Sequence, residues 1–205
     1  MGADEIMRSA FNWKRPQLLA MACTLVAMVD RGLAQMPSAV PPPIEQASAN
    51  CVRPQYASDT LVCEDPALRA LDADVARLGR IEPRLAVGAI WESQFAWFRR
   101  RAQCAFQADH RDCLVAAYTD RRAVLEATAL TGERPLRCEG PWRGRPLVVT
   151  TATAGNPLKI AENGLLVAVA SAGTKNWKSW IGFRASGPRL VLELRTGSKV
   201  RCGIG

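Results

Sequence analysis

The sequence is poor in the residues on which most catalytic and metal chemistry relies. Its 205 residues hold a single histidine, His110, which removes most acid–base schemes and most zinc sites at once. Neither a phosphate-cradling glycine loop nor a nucleophile elbow of the hydrolase type is present. Metal-type cysteine spacing, a C-x-x-C cluster, is also missing, so no metal and no cofactor is expected. His110 itself lies between Asp109 and Arg111 with no nucleophile near it in sequence, and reads as a solvated loop residue. At 48% hydrophobic and 22% charged content the balance is that of a globular chain, which excludes collagen-like, disordered and multispanning membrane classes. These absences favour a binding protein over an enzyme.

What is present begins with an address. Arg8, Lys14 and Arg15 precede an uncharged apolar run over 18–29, which ends at Asp30-Arg31-Gly32-Leu33-Ala34. A basic flank, a short apolar stretch and small residues at 32 and 34 form a secretory signal peptide over 1–34, cleaved after Ala34. Twelve helical residues reach about 18 Å, short of the roughly 30 Å hydrocarbon core. Cys23 follows Ala20-Met21-Ala22 and offers a lipidation alternative, the one route to the membrane. Residues 35–49, with Pro37, Pro41, Pro42 and Pro43, lack periodicity and read as a linker.

Cleavage leaves six cysteines: Cys51, Cys63, Cys104, Cys113, Cys138 and Cys202. An even number behind a signal peptide implies three disulfides in an oxidising compartment. Cys138 and Cys202 group as a late pair. The early four leave their pairing open. An antiparallel helical hairpin would bring Cys63 to Cys104 and leave Cys51 with Cys113, whereas local pairing joins 51 to 63 and 104 to 113.

Residues 50–130 read as three helices. Asp65-Pro66 is an N-cap and first-turn signature, followed by Leu68, Leu71, Val75 and Leu78 at helical spacing and stopped by Gly79 and Pro83. A second helix is expected from Pro83, with Trp91, Phe95, Phe98 and Ala102 on one stripe and Arg99, Arg100 and Arg101 at its C-terminal dipole. The third follows Asp112 with Leu114, Ala117, Tyr118, Arg121 and Leu125 in register. Such a thin core calls for disulfide supplements. Residues 134–205 read as β: strand-prone runs at 147–151, 165–169 and 190–194 are separated by turn signals, among them Asn163-Gly164, the dipeptide of a type I′ hairpin. The expected fold class is therefore α+β in two domains, a disulfide-stapled three-helix domain followed by a small antiparallel β-barrel.

The order Cys51, then Cys63-x-Asp65-Pro66-x-Leu68-x-x-Leu71-Asp72, then Gln94-x-x-Trp97-x-x-x-Arg101-x-x-Cys104, then Cys113 with Tyr118 and Arg122, resembles the N-terminal domain of the LprI-like lysozyme inhibitors. The stretch from Cys138 to Cys202 resembles an MliC-type domain, a small β-barrel that inhibits c-type lysozyme, and the two in this order resemble an LprI-like architecture. One departure is Gly79-Arg80-Ile81-Glu82-Pro83, where that family continues its helix. The resemblance implies a stoichiometric inhibitor, not an enzyme, whose loop places a serine and a lysine in the lysozyme cleft. The stretch facing that role is 170–176, with Ser171, Gly173 and Lys175 as candidates and Lys178 and Ser186 beside them. A gapless alignment puts Ala172 at the family's serine and Ser186 at its lysine. Physically, a hydroxyl and a cation would hydrogen-bond the paired carboxylates on which glycoside hydrolysis depends.

Trp91, Gln94 and Trp97 read as core at helical spacing, whereas Trp177 and Trp180 beside Lys175 and Lys178 suit either a small core or an interaction surface. Charge divides the chain: residues 35–137 are net neutral, and 138–205 carry a net charge of +7. C-type lysozymes are usually basic, so long-range repulsion would slow such a complex while short-range pairing survives screening. The same basic half suits a second reading, a periplasmic or secreted envelope-binding module for peptidoglycan or anionic polymers. Nucleic acid is not expected, since no reader motif is visible.

Overall fold

Asp65 caps a helix as its sequence context predicts. Its carboxylate accepts the Ala67 and Leu68 amides at 2.8 and 3.2 Å, Pro66 fills the first turn, and helix α2 runs Pro66–Leu78. Arg111 donates to the same carboxylate at 2.7 Å and holds it below its ordinary pKa. The computed structural model describes residues 46–152 and 156–205. The signal-peptide and lipidation readings, and the linker up to residue 45, lie outside the described residues.

A further helix, α1 (Ala57–Glu64), precedes α2, and α3 (Gln94–Arg101) and α4 (His110–Ala127) follow it. The helix expected from Pro83 is corrected: Leu85–Ile90 is a strand, β1, and α3 starts only after Ser93 caps Ala96 N at 3.2 Å. Gly88, at φ +69°, breaks the helical period that the Trp91-Phe95-Phe98 spacing suggested. The third helix also begins earlier, with His110 as its first residue and not in a loop. Trp97 is wholly buried among Val62, Leu68, Val75 and Leu114, with Phe98 and Tyr118 edge-on to it. The early cysteines pair locally, Cys51 with Cys63 and Cys104 with Cys113, so the hairpin-driven alternative falls. Cys138 bonds Cys202 as expected.

The β half contributes β2 (Arg134–Cys138), β3 (Leu147–Thr151), β4 (Leu158–Glu162), β5 (Leu165–Ala170), β6 (Ile181–Ser186), β7 (Arg189–Leu194) and β8 (Lys199–Ile204). With β1 they form one eight-stranded sheet in the order β1-β5-β4-β3-β2-β8-β7-β6. Every pairing is antiparallel except β1 on β5, which is parallel. Asn163 and Gly164, both at positive φ, make the two-residue β4–β5 turn that their sequence specifies.

The expected closed barrel is therefore corrected to an open, mixed sheet. The edge of β5 that a closing strand would need is occupied by β1, and among the described residues β5 and β6 form no ladder, their ends being joined by the bond from Ser171 N to Ile181 O at 3.0 Å. One face of the sheet wraps a core that includes Leu136, Trp142, Val149, Ile160, Leu190 and Leu192. Each fully buried leucine there contributes about 1.5–3 kcal/mol. On the other face, Leu166 and Val169 of β5 pack against Val124 and Ala127 of α4. The described residues thus belong to one compact unit in which helices and sheet share an interface.

His110 supplies a test of the helical layer. Its Nε2 lies 3.0 Å from Ser58 Oγ, and burial, with Arg101 nearby, holds the imidazole below its ordinary pKa. The unfolded chain then binds more protons, so the contribution of His110 is full above about pH 6.5 and is lost as pH falls through the depressed folded value. Denaturant titrations at pH 7.5 and 5.5 should show wild type losing more stability on acidification than His110→Gln. Equal losses would remove His110 as the cause.

Candidate functional site

The segment joining β5 to β6, residues 171–180, carries four of the five candidate binding residues and is braced from below by two helices. Thr174 and Trp177 pair across a tight turn, with Thr174 N donating to Trp177 O at 2.9 Å, which leaves Lys175 and Asn176 at its tip. Lys175 is exposed there.

Trp177, only 6% exposed, is the foot of this turn. Its indole Nε1 donates to Asp120 of α4 at 3.0 Å, and the Arg100 guanidinium stacks on its ring at 4.0 Å. Arg100 is itself held by Glu92 through bidentate bonds of 2.6 and 2.7 Å and donates to Lys178 O at 2.8 Å. Both partners of that ion pair are under a tenth exposed. Such a pair positions groups more than it stabilises them. Arg121 completes the layer by donating to Gln94 Oε1 and Glu92 O, both at 3.0 Å, and burial pulls its pKa down to about 10.

Asp120 is the second anchor. It accepts from Ser171, from Ser179 at 3.0 Å and from Trp177, so one carboxylate ties both ends of the segment to α4. Ser171 is 2% exposed, its hydroxyl bonded to Asp120 and 2.6 Å from Ser179 Oγ. It faces the helices, not solvent. Gly173 adopts φ +67°, and a β-carbon there would lie 3.0 Å from Ser179 Oγ and 3.1 Å from Trp177 O, so only glycine fits. Lys178 is exposed and pairs with Glu193 at 3.5 Å. Ser186 stands apart at the far end of β6, beside the Gly187 turn, about 17 Å along the strand from Ile181.

The arrangement therefore joins Ser171, Gly173, Lys175 and Lys178 in one braced turn and leaves Ser186 out of it. Trp97 of α3 and Trp177 go to the core, and Trp91, which lies before the helix and not on its stripe, packs half-buried against them. Arg99, Arg100 and Arg101 form the last turn of α3, as expected, and two of the three, Arg100 and Arg101, are buried and paired. Of the bracing residues, Arg100 was read at a helix end, whereas Asp120 and Glu92 carried no sequence signal of their own: an isolated acid among polar positions reads as a surface group. Chemically, the turn can present a cation on a pre-ordered backbone to an anionic partner. Among the described residues no cluster of His, Cys, Asp and Glu is arranged to hold a metal, and no helix is long and apolar enough to cross a membrane. No family model, no curated protein and no solved structure matches the chain significantly.

Proposed function

We propose that the protein is a stoichiometric, non-enzymatic inhibitor of c-type lysozyme, exported from the cytoplasm, that presents Lys175 to the carboxylates of the lysozyme cleft. The observation that carries this reading is the position of Lys175: an exposed ammonium at the tip of a turn whose foot, Trp177, is fixed by Asp120 and Arg100. Pre-ordering of this kind lowers the entropy lost on binding. The cysteine-motif resemblance to LprI-like inhibitors supports the same partner. Ser171 serves here as a brace through Asp120, and its hydroxyl stays out of the cleft.

The test is a lysis assay in which oxidised protein is titrated against c-type lysozyme on a peptidoglycan suspension. Inhibition should saturate near one-to-one. Lys175→Ala should weaken it by roughly thirtyfold, the effect of losing about 2 kcal/mol from a charge paired in a desolvated cleft. Because both proteins are basic overall, association should quicken as salt is raised. No inhibition at large excess would overturn the reading, and unchanged inhibition by the variant would remove Lys175 from it.

A further inference from the structure

We propose that the outer face of β2, β8, β7 and β6 binds an extended polymer carrying repeated phosphate groups. The inference is separate from lysozyme inhibition and from Lys175; the braced turn enters only where residues 172–174 and 177–179 wall one end of the face.

Strand alternation generates the face. Leu190, Leu192, Val200 and Cys202 point into the core, so the residues between them point the other way, and five of these on the four strands are cationic: Arg137, Arg184, Arg189, Lys199 and Arg201. All five are exposed, and none pairs with a carboxylate among the described residues. Register arranges them in rows. Lys199 lies opposite Glu193, Arg184 and Arg201 flank Val191, and Arg189 and Arg137 flank Gly203. Successive rows are two residues apart, about 6.7 Å along a strand, and neighbouring strands are about 4.8 Å apart.

The face is also hollowed. A cavity of about 310 Å³ is lined by Lys178, Arg184 and Lys199, and another of about 370 Å³ by Arg137, Arg189 and Arg201; both include Val191 in their walls. The two hollows therefore share a wall at the middle of β7 and make a path about 13 Å long from the Lys199 row to the Arg189 row. Glu193 and Glu139 lie along it, one in each hollow. Glu193 faces Lys178, which leaves the five cations in excess.

Four of the five are arginines, whose planar fork meets an oxyanion through two parallel bonds. A single small anion would engage one row, whereas a polymer engages all three and releases counterions at each. Base or sugar stacking has little to offer here. Trp177 and Phe183 reach the wall of the 310 Å³ hollow but are buried and half-buried, and among the described residues the large exposed aromatic, Phe106, lies in the helical half. Binding thus rests on the oxyanions, and phosphate in a flexible chain supplies them at a pitch the rows can follow.

The experiment titrates the oxidised full chain with long-chain inorganic polyphosphate, with orthophosphate and polygalacturonate as comparators, across 50–200 mM salt. Polyphosphate should bind at least a hundredfold more tightly than orthophosphate. Arg184→Gln with Arg201→Gln should reduce affinity about tenfold and lower the log–log salt slope by about 1.4, the loss of two contacts to a flexible chain. Arg53→Gln with Arg80→Gln removes the same charge from exposed positions of the helical half and should leave affinity within twofold. An equal loss from that control pair would mean net charge alone, and would overturn the proposal. So would polygalacturonate binding as tightly as polyphosphate, or no polyphosphate binding at 50 mM salt. The Arg184→Gln, Arg201→Gln protein should keep full lysozyme inhibition if the inhibitor reading holds, so each reading can fail without the other.

Discussion

Asp59→Ala is expected to destabilise the protein by about 3–5 kcal/mol, as removal of one partner from a fully buried ion pair does. Asp59 and Arg101 both have no exposed side-chain surface, and Arg101 Nη2 donates to Asp59 Oδ1 at 2.8 Å. The other oxygen of Asp59 accepts the Gln55 and Tyr56 amides at 3.1 and 3.2 Å at the start of α1. Arg101 Nε and Nη1 have no hydrogen-bonding partner among the described residues, and the guanidinium lies 3.9 Å from the Phe98 ring centre and 5.5 Å from that of Tyr118. Without Asp59, the guanidinium would be stranded among those rings. Urea titration followed by circular dichroism gives the change directly. Asp59→Asn keeps an oxygen for the two amides and isolates the charge, and it should account for most of the loss. If Asp59→Asn is near wild type, the effect belongs to the helix start and not to the pair.

Removing the Cys138–Cys202 bond by a double alanine substitution should cost about 4 kcal/mol, whereas either short disulfide should cost about 3 kcal/mol, since the entropy of a closed loop grows with the logarithm of its length. The separations are 64 residues against 12 and 9. The long link joins β2 to β8 at directly paired positions, so it fixes the register of that pair. Midpoints of denaturant unfolding for the three double variants rank the links. A larger loss from Cys51→Ala, Cys63→Ala than from the long pair would show that native-state strain or packing outweighs loop entropy.

The parts of this fold visible in the sequence are those with a local cause. Asp65-Pro66 sets α2, Asn163-Gly164 sets the β4–β5 turn, and the β-branched run of 147–151 is β3 to the residue. β1 was not visible, because Leu85-Ala86-Val87-Gly88-Ala89-Ile90 neither alternates nor carries turn signals, and its partner β5 lies some eighty residues on. β8 does alternate, Lys199-Val200-Arg201-Cys202, and its inward Val200 and Cys202 were a usable signal. The closed barrel failed for the same non-local reason as β1: nothing near residue 165 announces that its edge is already taken. At the candidate site, Gly173 and Lys175 were singled out through the family resemblance and not by a local pattern. The role of Ser171 depended on Asp120, 51 positions away, and no periodicity carries that information.

The parallel pairing of β1 with β5 also bears on how such a chain can be recombined. A genetic exchange at the boundary near residue 131 would carry β1 away with the helices and leave the other product with β5 bare at its edge. A bare edge recruits a strand, and the one that fits best is β1 of another copy. Chimeras cut there should therefore reassociate as complementing halves, or recover β1 by exchange between intact molecules. Inheritance of the two halves is in this sense joint: neither can be shuffled into a new context without bringing the other's strand along.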